Sequence, residues 1–229
     1  MFYLAPHPKL DRPRRGSPRM FTIDWVEKYF SRVKPTHVIA IWVPIAILCL
    51  VRGVRDPATT AVGMVSLFAL GLASWTLLEY VLHRYLFHFE PNPQSEVQVD
   101  VSWLIHGIHH DFPWDGDRLV MPPTATAVII AALWIPMRLA FGVHYNVVFF
   151  AGILVGYVIY DLLHYWCHHS APKSRLGKWL RRYHMVHHFS TPHERYGITT
   201  PIWDHVFGTY PNDKYSALDQ RADELEAKA

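Results

Sequence analysis

Long apolar runs alternate with polar stretches rich in histidine along this chain. The apolar runs cover residues 38–51, 58–82, 124–141 and 147–163. A bilayer's hydrocarbon core is about 30 Å thick, which roughly 20 helical residues cross. The second run meets that length outright. The first is short, holds Pro44 and gains length from Thr36 and His37. The third, interrupted by Pro136 and Arg138, reads as a span or as a partly re-entrant segment. The fourth carries Asp161 near its end. The links at 52–57 and 142–146 are short, so neighbouring runs pair as antiparallel hairpins. The pattern predicts an all-α integral membrane protein with four transmembrane helices in two hairpins.

Ahead of the first run, Trp25, Val26, Tyr29, Phe30 and Val33 recur at helical spacing. Asp24, Glu27, Lys28 and Arg32 occupy the other side. That reads as an amphipathic helix on a membrane surface, or one packed against the rest of the domain. Eight Lys and Arg lie between positions 9 and 34. Lys173, Arg175, Lys178, Arg181 and Arg182 follow the last run, whereas the 52–57 link holds two basic residues. The positive-inside rule therefore places both termini in the cytosol, in a bacterial inner membrane or the endoplasmic reticulum.

Ten of the sixteen histidines fall into four spaced blocks. These are His83 and His88; His106, His109 and His110; His164 and His168; and His184, His187 and His188. With the predicted topology, all ten reach the cytosolic face, and His144 falls on the opposite one. Residues three or four apart share a helix face, so His164 and His168 point together. His83 and His88 diverge by about 140° on a regular helix, so that pair is expected to straddle a helix end. Zn²⁺ takes about four ligands and other divalent ions up to about six, so ten imidazoles are too many for one ion and fit two. All-nitrogen sites suit Fe, Zn, Cu or Ni better than Mg or Ca. The Glu-x2-His pairs of soluble di-iron bundles do not occur. Glu79 lies four residues before His83, and Asp161 three before His164. Each carboxylate is placed to accept an imidazole N–H and orient a ligand, or to serve as a cap or interhelical bond.

Composition narrows the possibilities. Half the residues are hydrophobic, yet the mean hydropathy is only +0.05, which suits a membrane part joined to a polar part. A net charge of +3 makes nucleic-acid binding a poor explanation. Only Cys49 and Cys167 are present, so a disulfide framework is not expected. Cys167 lies between two histidines and reads as a buried spectator more readily than as a thiolate ligand. The first thirty residues lack the apolar core of a secretory signal.

Several stretches carry a resemblance. Residues 79–88 and 106–110 resemble the fatty acid hydroxylase branch of the sterol desaturase superfamily. Residues 118–123, Tyr160-Asp161 leading into His164 and His168, and 203–209 are similar to the fatty acid 2-hydroxylases in particular. The resemblance covers roughly residues 37–210. It implies a membrane-embedded hydroxylase domain there, after a cytosolic N-terminal segment (1–36) and before a polar tail (211–229). It implies four spans under a cytosolic helical cap that encloses a di-metal site with all ten block histidines as ligands. It also implies insertion of one oxygen atom from O₂ at C2 of a long-chain fatty acid or of the acyl chain of a sphingolipid or ceramide. Iron is the expected catalytic metal, and zinc can occupy such a site in purified protein. A pair of electrons is needed per turnover. No His-Pro-Gly-Gly haem motif occurs, so a separate cytochrome b5-like or ferredoxin-like donor is expected. Sterol or carotenoid oxidation by the same cage, a structural zinc site and a non-enzymatic metal-binding membrane protein are the competing readings. Ligands gathered at span ends disfavour transport, which places them near the midplane.

Overall fold

The computed structural model describes residues 4–5 and 13–210. The polar tail expected at 211–229 lies outside the described residues, as do parts of the N-terminal segment. The named elements are all helical. Helix α1 is Pro35–Arg55, and α2 is Ala61–Val81 with a π-helical continuation, Leu82–Phe87. Helix α3 is Glu96–Ser102, followed without a break by a π-helical turn, Trp103–Gly107, and the short Ile108–Asp111. Helices α4, Pro123–Leu139, and α5, Asn146–His169, meet at a kink. Gly142 makes that kink with φ 69° and ψ −169°, a conformation open mainly to glycine. Helices α6, Arg175–Phe189, and α7, Ile202–Val206, are the last among the described residues.

Among the described residues, three helices are long and apolar enough to cross a membrane: Pro35–Arg55, Ala61–Phe87 and Asn146–His169. The third apolar run forms the shorter helix Pro123–Leu139. Its start is set by Pro122 and Pro123, and Gly142 interrupts helical geometry beyond it. Helices α1 and α2 turn Ile45, Leu48, Val54, Val62 and Val65 outward. So much contiguous apolar surface suits lipid rather than water. Helix α5 packs against both of them and is the most enclosed of the three. Its Tyr157 sits edge-on between Trp42 and Trp75, with ring centroids 6.0 and 5.4 Å away. The Tyr157 hydroxyl accepts from Thr126 Oγ1 at 2.9 Å, which joins α4 to the same core.

The N-terminal segment departs from a plain amphipathic helix. It forms only a short turn, Asp24–Val26, and a π-helical turn, Glu27–Ser31. Glu27, expected on the polar outer side, is buried. Its carboxylate accepts from the backbone of Met20 and Phe21 at 3.0 and 3.1 Å and pairs with Arg118 at 2.5 Å. Arg118 also reaches Asp115 at 2.5 Å. Burial alone would raise the Glu27 pKa, but the backbone and Ser31 hydrogen bonds and the guanidinium hold it below its ordinary value. Trp25, Tyr29 and Phe30 remain exposed on one side. A buried ion pair, rather than helical periodicity, therefore docks this segment on the strap that precedes α4.

The closest helix contact is between α2 and α5. A Cβ on Gly71 would lie 2.0 Å from the Phe149 carbonyl, and one on Gly152 2.3 Å from that of Phe68. Small residues let membrane helices approach this closely. Gly152→Ala is therefore expected to destabilise the bundle by about 1–3 kcal/mol, the range for overpacking. Thermal unfolding in detergent measures it; an unchanged midpoint would contradict the packing described.

Candidate metal centre

Local helix geometry delivers the histidines. The backbone N–H of His88 donates to the His83 carbonyl at 3.1 Å, closing an i to i+5 turn. The wider π turn turns both imidazoles the same way, with ring centroids 5.0 Å apart. The pair does sit at a helix end, as the spacing predicts, but it converges instead of diverging. A second π turn carries His106, and His109 and His110 follow in Ile108–Asp111. Helix α5 contributes His164 and His168, and α6 contributes His184, His187 and His188.

The ten imidazoles form two groups of five. One holds His83, His88, His106, His110 and His187; the other holds His109, His164, His168, His184 and His188. Within each group the candidate ligand atoms all lie within 4.8 Å of one another. Each three-histidine block splits between the groups. Its i and i+4 members face one group and the intervening residue faces the other, as helical spacing requires. The groups adjoin, since His110 stacks on His188 at 4.1 Å between centroids.

The donor chemistry fits a cation. In the first group, His83 Nε2 lies 3.2 Å from His106 Nε2, which lies 3.1 Å from His110 Nε2. His187 Nε2 lies 3.1 Å from His88 Nε2. His83 and His187 each donate Nδ1–H to a backbone carbonyl, of Tyr196 and Glu194, both at 2.6 Å. A carbonyl only accepts, so both rings present a bare Nε2 lone pair to the centre. In the second group, His164 Nε2 approaches His109 Nε2, and His168 Nε2 approaches His184 Nε2, each at 2.8 Å. Burial, then the neighbouring imidazoles, holds His106, His109, His184, His187 and His188 well below the usual histidine pKa. Burial likewise lowers His110 to about 3. Those rings are thus neutral at pH 7, and their converging lone pairs suit a metal ion.

The two carboxylates act one step further out than sequence spacing indicates. Glu79 accepts from the backbone of Ile198 and Thr199 at 2.6 and 2.8 Å and from the Thr199 hydroxyl at 2.5 Å. Asp161 accepts from Met121 N, 3.2 Å from each oxygen. Their hydrogen bonds go to backbone and hydroxyl groups rather than to an imidazole. The Tyr196 and Glu194 carbonyls that do orient imidazoles carry no side-chain signal in the sequence.

Four other histidines have partners of their own. His144 meets Asp56 at 2.5 Å, joining the α1–α2 and α4–α5 links. His37 accepts from Lys34 N at the start of α1, His169 stacks on Tyr165, and His205 stacks on Tyr210. Cys167 is buried with Met185, Val186 and Phe189, outside both histidine groups.

Two cavities reach the centre. An apolar groove of about 470 Å³ runs past Leu104, Ala125, Val128 and Ile129 to His106, His109 and His164, so it touches both groups. A more polar cavity of about 400 Å³ lies across Phe87 and His106, bordered by Glu90, Asp111 and His193. Phe87 stacks on His106 at 5.4 Å where they meet.

Residues 68–209 match the family model described as fatty acid hydroxylase. The chain is 40% identical over 201 residues to dihydroceramide fatty acyl 2-hydroxylase FAH2 of Arabidopsis thaliana, covering 87% of this chain and 83% of that protein. It is 41% identical over 145 residues to the ceramide very long chain fatty acid hydroxylase SCS7 of Saccharomyces cerevisiae, covering 63% of this chain and 38% of that one. A solved structure described as full-length scs7p, with only the hydroxylase domain visible, superposes with a TM-score of 0.76 at 34% identity. That match covers 82% of this chain and 70% of the solved one.

Replacing His106 and His110 together by alanine is expected to release about one metal ion per chain, as is replacing His164 and His168, because each pair belongs to one group. His144→Ala is expected to leave metal content unchanged. Elemental analysis of the purified protein reads all three, and metal loss in His144→Ala would contradict the grouping.

Proposed function

The chain belongs to the fatty acid hydroxylase family and is a membrane-bound hydroxylase; from that premise we propose that it hydroxylates C2 of a long acyl chain, as a fatty acid or within a ceramide. The observation that carries this reading is the apolar groove that ends on imidazoles of both histidine groups. The apolar lining of such a groove suits a hydrocarbon chain. The relatives named as dihydroceramide fatty acyl 2-hydroxylases support the same substrate class.

We assign the ten histidines as ligands to two ions, five to each. Iron is the proposed working metal, and when bound it supplies the activation of O₂. Overall, one C–H bond becomes C–OH while the second oxygen atom leaves as water, consuming two electrons and two protons. The electrons come from a cytochrome b5-like or ferredoxin-like protein. The protein's own part is placement. Ala125, Val128 and Ile129 hold the chain, and the groove walls keep water from the reacting carbon. The polar cavity beyond Phe87 and His106 has room for the carbonyl end and its headgroup. Glu79 and Asp161 hold the loops that border the site.

The same reading takes α4 as a fourth, short span paired with α5, with the catalytic unit at 37–210. The Asp56–His144 contact between the two interhelical links supports it, because it marks an end of the bundle remote from the histidines. The basic residues before α1 and after α5 support cytosolic termini.

Lipids from cells expressing the protein should gain one oxygen per acyl chain, located at C2 by fragmentation. Altered sterols or carotenoids with unchanged acyl chains would overturn the assignment. His187→Ala should abolish the product while membrane insertion is kept. Ala125→Trp should raise KM about 10-fold or more for the longest acyl substrates and least for short ones, since it obstructs the groove. An equal effect at every length would place the chain elsewhere.

A further inference from the structure

The segment 194–199 crosses directly behind the first histidine group and supplies both carbonyls that fix its tautomers. Four consecutive backbone N–H groups of this segment are taken up by two buried carboxylates. Asp204 accepts from Tyr196 N and Gly197 N, both at 2.8 Å, and Glu79 accepts from Ile198 N and Thr199 N. Asp204 is fully buried in the short helix α7. Its Oδ1 also accepts from the Thr209 hydroxyl at 2.7 Å, and that hydroxyl lies 2.9 Å from the Tyr80 hydroxyl on α2. Trp203, beside it, donates to Thr76 Oγ1 at 2.9 Å and pins α7 to the same helix. The fit leaves no slack. A Cβ on Gly197 would lie 2.9 Å from Asp204 Oδ2 and 2.1 Å from the Thr200 carbonyl.

The second group is held differently, with a backbone contact, from Leu119, at His164. The Nδ1 atoms of His109, His168, His184 and His188 are buried without a hydrogen-bond partner among the described residues. The two groups therefore differ in how their ligands are held, although both contain five imidazoles.

We propose that Asp204 is a positioning residue for one metal only: it holds the Tyr196 carbonyl against His83 Nδ1 and so fixes the ligand set of His83, His88, His106, His110 and His187. The inference rests on the two-ion reading above and adds that the two sites depend on different supports. Fixing a ligand through its second nitrogen is worth about 10–100-fold in metal affinity. Asp204→Asn retains one acceptor oxygen but turns an amide toward a backbone N–H, so the Tyr196 carbonyl loses its register.

The test follows release of metal from the purified full-length protein to a chelator, counted as ions per chain. In the wild-type chain, two ions are expected; any other number defeats the two-ion reading itself and is seen without a variant. Asp204→Asn should lower the affinity of one ion about 10-fold or more and leave the other unchanged. Its identity is read in two backgrounds. With His164 and His168 replaced by alanine, the single remaining ion should become labile on Asp204→Asn. With His106 and His110 replaced, it should not. Thr209→Ala, which keeps the carboxylate and removes only the hydroxyl on Oδ1, should give the same one-ion effect more weakly, and serves if Asp204→Asn does not fold. His144→Ala, at the Asp56 contact remote from the clamp, should leave both ions at wild-type affinity. Equal loss of both ions in Asp204→Asn or Thr209→Ala, or loss of neither, would overturn the proposal.

Discussion

Ten imidazoles packed together, eight of them buried and His88 and His110 half-buried, are the constraint on which the rest of this structure depends. Their nitrogens come within about 3 Å of one another, closer than neutral rings settle when each can offer at most one proton. Where a backbone carbonyl takes the Nδ1–H, as at His83 and His187, the facing nitrogen has only a lone pair to present. Such a cluster is stable when a cation accepts the lone pairs, and metal binding and folding are then one equilibrium. Burial serves the same end, because it keeps the rings unprotonated and ready to ligate.

The surrounding helices supply the rigidity that this demands. Helix α5 is held against α2 at glycine contacts and against α1 through the Trp42–Tyr157–Trp75 stack. Histidines at the end of such a helix inherit its position. The two π-helical turns do what a regular helix cannot, turning His83 and His88 to one side and aiming His106 inward. π turns often accompany functional sites, since they are costly to keep unless something depends on them.

Substrate access follows from where the centre sits. It lies at the ends of apolar helices, so one side opens on a hydrocarbon-lined groove and the other on a polar cavity. An acyl lipid has that same division between chain and headgroup. The strap carrying Arg118 and Met121 borders the groove and is tied at both ends, to Glu27 through its guanidinium and to Asp161 through its backbone. These ties keep the wall of the groove in register with the histidines of α5.

Much of this was legible in the linear pattern. Apolar run length announced the helical bundle, and histidine spacing announced that imidazoles gather, because these depend on counting residues along one helix or loop. Residue types also picked out Glu79 and Asp161 as carboxylates near the histidine blocks, and both are buried. Their partners were not legible, because a carboxylate facing a backbone N–H from a distant loop leaves no mark in the distant residue's identity. The same reason hid Asp204, whose partners at 196 and 197 contribute only main chain. The convergence of His83 with His88 required a π turn, which depends on how the end of α2 packs and not on the spacing alone. The division of the ten histidines into two groups was likewise decided in three dimensions: sequence sets which neighbours share a helix face, but only the packing of four segments determines which faces meet.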